Sequence, residues 1–488
     1  MTVLHIAHPT LGERAAHGSH AREHTPLDSH TDWQAAADRP DPIALLEEQN
    51  ATREVDLVPV RHGRMMASPF TFYRGAAKVM AADLSKTPTA GLDAQLCGDA
   101  HLSNFGAYAS PERRLLFDVN DFDETLPGPF EYDLKRLAAS FMIAARNNGH
   151  SKPDARAATM ASVTAYREAM TDFAQMGTLE VWYAHAAEDE LMQSLRATAA
   201  AATNATTGKK GSTKKGGDKG MKAALKTAEK NVAKAHTRDS LQALSKLAEQ
   251  VNGTFRISSQ PPVVVPMRDL GGAYGIDADH AEETIRNQFR AYRATLQPDR
   301  RQLLEQFEFV DAARKVVGVG SVGTRAFIVL LQGRDGRDPL FLQIKEATTS
   351  VLEQYLPKSR YKQSSERVAQ GQRMMQAASD IFLGWTRGLD VQRHFYWRQL
   401  RDMKGSALVE TMIPATLTFY ARTCGWTLAR AHARSGDPVA IAQYLGKSDT
   451  FDRSITDFSA RYADQNEQDF HAFVQAVRAG RLEAIEGV

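Results

Sequence analysis

The side chains best suited to chemistry lie in one acidic segment, residues 97–124, which begins CGDAHLSN and ends FDVNDFDE. Asp99 precedes Asn104 by five residues, and Asp121 and Asp123 follow a predicted strand hairpin. An aspartate can orient a hydroxyl group, while an amide and a second carboxylate can hold a divalent metal against the phosphates of a nucleotide. Because carboxylates this close repel one another, the alternative interpretation, a solvated acidic turn, leaves their density unexplained. The segment therefore predicts a metal-dependent site for phosphate chemistry.

A glycine-rich pattern, GVGSVG, occupies residues 318–323. Its candidate ligand-binding residues are Gly318, Gly320, Ser321 and Gly323. Alone, the pattern fits a dinucleotide-binding turn, a loop that covers phosphates, or an ordinary glycine-rich turn. A dinucleotide-binding fold requires a helix after the last glycine, but residues 324–331 are apolar and β-branched and a turn follows them. The order strand, glycine loop, strand, turn, strand is the one found in protein kinases.

In that order the third strand carries a lysine that pairs with the α and β phosphates, and Lys345 stands at this place as the last residue of LQIK. A glutamate on the next helix should pair with the lysine. We predict Glu366 as this partner, with Glu353 as the alternative. The competing interpretation of Lys345 is an ordinary lysine on an edge strand. Residues 401–405, which follow a predicted strand, should form the hinge beneath the base of the nucleotide.

Composition and length indicate an ordinary globular protein. The 488 residues are 43% hydrophobic and 24% charged with a formal net charge of +2, which does not indicate a dedicated nucleic-acid-binding protein. The two cysteines, Cys97 and Cys424, imply no disulfide framework and favour a reducing compartment. The N-terminus lacks the features of a signal peptide, and no apolar run is long enough to span a bilayer. We expect a soluble cytoplasmic protein without nucleic-acid or membrane partners.

The elements that must position these residues suggest an α+β fold in four parts. Residues 1–44 are polar and carry six histidines without metal-ligand spacing, which predicts a flexible tail. Residues 45–308 are mainly helical and contain the acidic segment, with a lysine-rich insertion at about 203–236 that predicts a solvated loop and an exposed helix. Residues 309–405 form a β-rich unit with the glycine loop, and residues 406–488 are again helical.

Together the two constellations resemble the protein-kinase-like superfamily, on the side of the aminoglycoside and choline phosphotransferases. Those enzymes carry G-D-x-H-x-x-N, a hairpin and then I-D-F/W-D/E, and residues 98–104 and 121–123 match both motifs. From about residue 45 the chain also looks like a bacterial family known only as a conserved domain of unknown function. The matching phrases include NDFDET at 120–125, GPF at 128–130, QRMMQAA at 372–378 and RQLRDMKG at 398–405.

The resemblance implies a protein-kinase-like fold with a large helical lobe and a small antiparallel-sheet lobe, and it implies ATP and Mg²⁺ as cofactors. Asp99 would accept the proton of the attacking hydroxyl, and His101 would either tie down the loop or contact the substrate. Asn104 and Asp121, helped by Asp123, would bind Mg²⁺, since this hard cation prefers oxygen ligands. Most of the remaining catalysis would consist of positioning and charge neutralisation.

Two further residues have two interpretations each. Asp133 resembles the aspartate that braces the catalytic loop from the start of a helix, although the helix dipole alone also favours a carboxylate there. Arg74 is either a phosphate contact or one half of a structural salt bridge.

The order of the motifs departs from that of ordinary kinases, in which the glycine loop and the lysine come first. Here the acidic segment precedes the glycine loop by roughly two hundred residues. Either the glycine loop is coincidental, or the fold is circularly permuted, which exposed termini and junctions tolerate. Permutation predicts that the helix leading into the catalytic loop lies near the C-terminus. Residues 423–433, which include His432, are similar to the L-A-x-x-H-A sequence of that helix.

These residues favour an ATP- and Mg-dependent phosphotransferase that acts on a hydroxyl of a small molecule. Two alternatives use the same parts. A nucleotide bound in the opposite direction would transfer AMP to a protein hydroxyl, and a pseudokinase would bind the nucleotide only as a scaffold. The presence of Asp99, Asn104, Asp121 and Lys345 together argues against the scaffold.

Overall fold

The computed structural model describes residues 8–207, 215–270, 278–316, 318, 320–388, 390, 392–400 and 403–487. It has an α+β architecture with antiparallel sheets, in agreement with the coarse class predicted from the sequence. Among these residues, no helix has the length and apolar character needed to cross a membrane.

Helices dominate the first part of the chain, and short strands flank the acidic segment. In chain order these elements are α1 (Leu11–His24), α2 (Pro42–Asn50), α3 (Val58–Met65), α4 (Pro69–Gly75), α5 (Ala77–Leu84), β1 (Asp93–Leu96), β2 (Phe105–Ala109), β3 (Leu115–Val119), β4 (Leu126–Pro129), α6 (Phe130–Asn147), α7 (Lys152–Phe173) and α8 (Thr178–Tyr183). β1 and β4, which flank the acidic segment, pair with each other, and β2 and β3 within the segment form a hairpin; both pairs are antiparallel.

The middle of the chain carries the lysine-rich insertion and the elements that cover the main sheet. They are β5 (Ala186–Ala187), α9 (Glu188–Thr207), α10 (Lys215–His236), α11 (Ser240–Leu247), β6 (Ala248–Val251), β7 (Thr254–Ile257), β8 (Val264–Pro266), α12 (Ala278–Arg293) and α13 (Pro298–Leu304). The lysine side chains of α10 at positions 222, 226, 230 and 234 are exposed. The part of the predicted solvated loop at 208–214 lies outside the described residues.

The last part of the chain contains the main sheet and a second group of helices. The elements are β9 (Glu308–Lys315), β10 (Ala326–Gln332), β11 (Pro339–Ala347), α14 (Ser364–Met375), β12 (Gly384–Arg387), β13 (His394–Gln399), β14 (Gly405–Ser406), α15 (Pro414–Ala433), α16 (Pro438–Leu445) and α17 (Thr450–Arg478). The six-stranded sheet has the order β12-β13-β11-β10-β9-β8. Lys345 on β11 lies opposite Ala326 on one side and Tyr396 on the other.

Each face of this sheet has its own hydrophobic core. One face packs against α12, where Tyr292 stacks on Trp397 with the ring centroids 4.5 Å apart. The other face, which carries Lys345, packs against α11 and the β6–β7 hairpin. Both covering elements precede residue 309, so the residues that pack with the sheet begin well before the predicted boundary.

The large helical core joins the N- and C-terminal parts of the chain. Leu134, Leu137 and Phe141 of α6 are fully buried in it, with residues of α7, α15 and α17. α7 and α15 approach so closely that a Cβ atom at Gly425 would overlap the carbonyl group of Ser162. A core built from both ends of the chain fixes the acidic segment and the C-terminal helices in one assembly.

The prediction of a flexible tail over residues 1–44 is wrong for residues 8–44; residues 1–7 lie outside the described part. Thr10 and Glu13 form a capping box that starts α1, and Arg14 pairs with Asp437 at 2.8 Å. Gly18 and Ala21 are buried, and a Cβ atom on Gly18 would overlap the backbone of α16. The helix packs through small residues, which give no apolar periodicity in the sequence.

Candidate active site

The loop that carries Asp99 follows β1, and the first turn of α6 holds it through hydrogen bonds. The carboxylate of Asp133 accepts hydrogen bonds from the backbone N–H of Cys97 at 2.7 Å and of Gly98 at 3.0 Å. Gly98 has φ +85°, a left-handed conformation that favours glycine, and the carbonyl group of Glu124 leaves no room for a Cβ atom there. The predicted bracing role of Asp133 is thereby confirmed.

Helix α15, from the last part of the chain, lies beside the same loop. His432 Nε2 lies 3.3 Å from Asp133 Oδ2, and the other ring nitrogen of His432 lies 2.9 Å from the hydroxyl of Tyr166. Just after α15, the hydroxyl of Ser435 accepts a hydrogen bond from the backbone N–H of Gln95 in β1 at 3.0 Å. The end of α15 thus lies beside the strand that leads into the loop carrying Asp99, although the two are more than three hundred residues apart in the chain.

Asp99 is anchored by one arginine and retains partial exposure. Arg136 Nε and Nη2 lie 2.7 and 2.6 Å from Asp99 Oδ1, and the exposed side-chain fractions are 3% for Arg136 and 19% for Asp99. Burial raises the pKa of Asp99, although the guanidinium of Arg136 acts in the opposite direction. Burial, with the charges of Arg74 and Arg136, holds the pKa of His101 well below its usual range, so the imidazole is neutral. His101 Nε2 lies 3.8 Å from Asp99 Oδ2.

Asn104 and Asp121 are brought together by backbone contacts. The side-chain N–H of Asn104 donates to the carbonyl of Asp99 at 2.6 Å, which leaves the amide oxygen as the atom that a cation can use. The backbone N–H of Asn120 donates to the carbonyl of Asn104 at 2.8 Å. Asp121 keeps one third of its side chain exposed (33%), so its carboxylate is open to a ligand.

Lys345 reaches across from the sheet to the acidic segment. Its Nζ lies 2.7 Å from Asp123 Oδ2, 3.9 Å from Asp121 Oδ1 and 3.4 Å from the hydroxyl of Ser321. Tyr396 donates its hydroxyl to the other oxygen of Asp123 at 2.7 Å. Burial alone would lower the pKa of Lys345, but the carboxylates of Asp121 and Asp123 raise it above its usual range. Lys345 is therefore a charged lysine directed at the acidic segment.

The predicted pairing of Lys345 with Glu366 is wrong. In the described part of the chain, the ion pairs of Lys345 are those with the acidic segment, and Glu366 takes no part in them. The residue that turns inward is Arg367, which donates to the carbonyls of Asp123 and Thr348, each at 2.8 Å. The alternative, Glu353, accepts hydrogen bonds from the backbone N–H groups of residues 350 and 359 and lies 3.8 Å from Arg367 Nε.

The glycine loop is fixed by the N-terminal part of the chain. The carbonyl of Gly323 accepts a hydrogen bond from the backbone N–H of Glu54 at 2.7 Å, and the carbonyls of Gly318 and Val322 accept bonds from Arg64 and Arg53. Gly318 and Gly323 have φ +65° and +87°, so these positions require glycine. At Gly320 a Cβ atom would lie 3.0 Å from the carbonyl oxygen of Arg74. The loop therefore lies against the large helical assembly, over the acidic segment.

These residues converge on one cavity of about 770 Å³ between the acidic segment and the sheet. The predicted site residues that line it are Asp99, His101, Asn104, Asp121, Asp123, Gly318, Gly320 and Ser321. Lys345 contacts this lining through Asp123, whereas Gly323 and Glu366 are not part of it. The volume is within the range of small-molecule sites.

Arg74, also in this lining, has no hydrogen bond or ion pair in the described structure. Its Nε is buried without a partner, and its guanidinium lies 5.9 Å from the ring centroid of Phe70. Burial lowers the pKa of Arg74, although Glu410 and Asp99 oppose this. Of the two interpretations of Arg74, the structural salt bridge is therefore absent.

Sequence reasoning missed Arg136, Tyr396 and Arg53. Arg136 follows Asp133 by three residues, and the two share a helix face, so the Asp-x-x-Arg spacing was a usable signal. Tyr396 and Arg398 lie two residues apart on β13. Only the register of the sheet shows that Tyr396 faces Asp123. Arg53 precedes every motif and carried no signal.

Of the three predicted metal ligands, Asn104 and Asp121 have oxygens that fit Mg²⁺, whereas Asp123 does not. Within the described residues, no group of three or more His, Cys, Asp and Glu side chains could hold a metal ion. Both oxygens of Asp123 are engaged, by Lys345 and Tyr396. The amide oxygen of Asn104 and the carboxylate of Asp121 remain, and Mg²⁺ typically binds through one or two carboxylates together with waters and substrate phosphates. The pair thus fits Mg²⁺ carried with a polyphosphate and not a metal cage made by protein alone.

The chain belongs to a family described as uncharacterized proteins conserved in bacteria (DUF2252), whose model matches residues 53–476. Comparisons with curated proteins and with solved structures give no match.

Proposed function

We propose that the chain is an ATP- and Mg-dependent phosphotransferase of protein-kinase-like, circularly permuted fold. The observation that carries this proposal is the meeting of Asp99, Asn104 and Asp121 with Lys345 and the glycine loop around one cavity. These parts lie roughly two hundred residues apart in the chain, and a coincidental glycine loop has no reason to close over the acidic segment. The family that the chain belongs to carries no activity in its description, so the proposal depends on the site alone.

The position of α15 supports the permuted connection. Its last residues lie against β1 through Ser435 and Gln95, and its His432 lies beside the Asp133 brace. A helix that in the usual order leads into the catalytic loop would occupy this place. A connection from residue 435 to residue 93 would place α15 directly before β1, as that order requires.

Each residue has a role that follows from its contacts. Asp99, held by Arg136, orients the acceptor hydroxyl and receives its proton, while neutral His101 lies beside it. Asn104 and Asp121 would hold Mg²⁺, which neutralises phosphate charge when bound. Lys345 and the backbone N–H groups of the glycine loop contact the phosphates. The partly buried, unpaired guanidinium of Arg74 is suited to an anionic oxygen of the phosphates or of the acceptor.

The acceptor class is a hydroxyl-bearing small molecule, with a protein hydroxyl as the alternative. Parallel incubations with γ-labelled and α-labelled ATP, Mg²⁺ and a bacterial metabolite extract test this. Label from the γ position in a small molecule supports the proposal, and label from the α position supports AMP transfer. ATP binding without transfer of either label supports a scaffold.

The matched control variant is Asp172→Asn, an exposed aspartate on α7 outside the cavity. It should transfer label as the unmodified chain does, whereas Asp99→Asn should not. If Mg-ATP at about one hundred times a typical Kd gives none of the roughly 2.7 kcal/mol of stabilisation expected from binding, the nucleotide proposal fails.

A further inference from the structure

In the arrangement that the sequence resembles, the base of the nucleotide lies against the lysine-bearing face of the sheet, next to the hinge. In this chain that face is closed by protein. Ile328 and Leu330 of β10 lie opposite Gln343 and Phe341 of β11, in the same alternation as Lys345, so they share its face. Ile328 is fully buried and Leu330 and Phe341 are each 1% exposed.

The residues that cover this face come from α11 and β7. Leu244, Leu247 and Ile257 pack in one cluster with Ile328, Leu330 and Phe341, and Leu400, the residue before the predicted hinge, packs against them. The backbone N–H of Leu400 is used in a hydrogen bond to the carbonyl of Phe341 at 3.0 Å. A base cannot enter without displacing a packed hydrophobic layer. Residues 401 and 402 of the hinge lie outside the described part of the chain.

A second barrier stands between Lys345 and the hinge. Arg398 on β13 donates to the side-chain oxygen of Gln343 and to the carbonyl of Asn120, each at 3.2 Å, and so bridges the sheet to the acidic segment. The cavity beside Arg398 has a volume of only about 60 Å³. Small-molecule sites usually measure about 300–1,000 Å³, so this cavity is well below the usual size of a ligand site.

The open volume lies in the other direction. From Asp99 and the glycine loop, the cavity of about 770 Å³ extends past the end of β11 to the start of α14 and to the β12–β13 connection. Its outer lining includes two rings, Tyr361 and His394, together with the polar side chains of Thr349 and Gln392. Aromatic rings can stack on a base, and amide and hydroxyl groups can bond to its edge.

We infer that the base of the nucleotide lies at this outer end, beside Tyr361 and His394, and not against the hinge as in the kinases that the sequence resembles. The inference rests on the proposed function, because it places the base of the ATP whose phosphates meet Lys345 and Asp121. It adds a base-binding site on the far side of Lys345 from the hinge.

Photolabelling tests the inference directly. The full chain is irradiated with 2-azido-ATP and Mg²⁺, with and without excess ATP, and the labelled peptides are mapped. Label that excess ATP prevents should fall within residues 348–364 or 388–396. Label within 240–258 or 398–405 would overturn the inference and leave the proposed function intact. Absence of any ATP-protected label would instead count against the proposed function.

Substitutions give a second readout that labelling chemistry does not affect. Tyr361→Ala and His394→Ala should each weaken ATP binding about five- to 150-fold through the loss of stacking. Both variants should bind inorganic tripolyphosphate as the unmodified chain does, because that probe has no base. Gln343→Ala on the hinge side is the matched control and should leave ATP affinity unchanged. Weakening by Gln343→Ala without weakening by the two ring variants would refute this position of the base.

Discussion

Two arginines near Asp99, Arg136 and Arg74, differ in whether they have an ion-pair partner in the described structure. Arg136 is almost fully buried and paired with Asp99 at 2.6 Å, whereas Arg74 is partly buried and unpaired in the described structure. Replacing each with methionine keeps much of the side-chain volume and removes the charge. If Arg74 binds a ligand and Arg136 stabilises the fold, the two substitutions should have opposite effects on the free energy of unfolding of the ligand-free protein.

The magnitudes follow from the contacts that are lost. Arg136→Met leaves the carboxylate of Asp99 without its partner, which costs about 3–5 kcal/mol for a buried pair; the 19% exposure of Asp99 places the expected loss near 3 kcal/mol. Arg74→Met breaks no hydrogen bond and removes a partly buried cation, so the free energy of unfolding should stay unchanged or rise by up to about 1 kcal/mol. A charge-assisted hydrogen bond to phosphate contributes about 1.5–3 kcal/mol. Arg74→Met should therefore weaken Mg-ATP binding about ten- to 150-fold.

Thermal unfolding without ligand and calorimetric titration with Mg-ATP measure both effects on the same preparations. Arg74→Met should match or exceed the Tm of the unmodified chain and lose affinity, while Arg136→Met should lower the Tm by several degrees. An Arg74→Met variant as unstable as Arg136→Met would show that Arg74 has a structural partner. Unchanged Mg-ATP affinity in Arg74→Met would exclude a contact between Arg74 and the phosphates. An anionic oxygen of the acceptor would then be the remaining ligand proposed for Arg74.

Three further predictions concern the acidic segment and one buried histidine. Asp121→Asn should abolish the Mg-dependent part of ATP binding, measured by titration with and without Mg²⁺. Asp99→Asn should retain ATP binding and lose about 10²–10⁴-fold in turnover. Equal loss of ATP binding in both variants would indicate a structural role for Asp99. Burial raises the pKa of Asp99, and only its ionised form accepts a proton. As the pH is lowered, turnover should therefore fall at a pH above the usual aspartate pKa of about 3.9. A pH–rate profile without this acidic limb would contradict the proposed role of Asp99. Burial and the charge of Lys135 hold the pKa of His30 well below its usual range. Below about pH 6.5 His30 is therefore protonated in the unfolded chain and stays neutral in the folded chain. Stability is therefore full above that pH and declines as the pH falls towards 5, and His30→Asn should reduce this decline in urea unfolding; an identical decline would assign it to other groups.

The parts of the site that could be predicted are those in which chemistry and spacing are local. Asp99, Asn104 and Asp121 fall within a single loop–hairpin–loop segment, so a short stretch of sequence fixes their neighbourhood. Lys345 was identifiable because two strands joined by a turn place it at a fixed distance from the glycine loop. The α+β class followed in the same way, from the change between helical and strand periodicity along the chain.

What the sequence could not supply was the orientation of helices and the identity of long-range neighbours. Glu366 and Arg367 are adjacent at the start of α14, and one residue rotates a helical side chain by about 100°. A helix whose phase is unknown therefore cannot decide which of the two turns inward. The closure of the sheet face by Leu244 and Leu247 likewise depends on where α11 packs, and its ordinary amphipathic pattern names no partner.

The position of Asp123 explains why no glutamate on α14 is needed beside Lys345. In the expected arrangement one acid binds metal and another, on the helix, orients the lysine. Here Asp123 orients the lysine, and Tyr396 and Ser321 hold the aspartate in turn, at 2.7 and 3.4 Å. The acid and the lysine come from the helical assembly and from the sheet, so their ion pair spans the cavity. A polyphosphate that takes hydrogen bonds from Lys345 must compete with Asp123, and ligand binding is thereby coupled to the contact that holds the two sides of the site together.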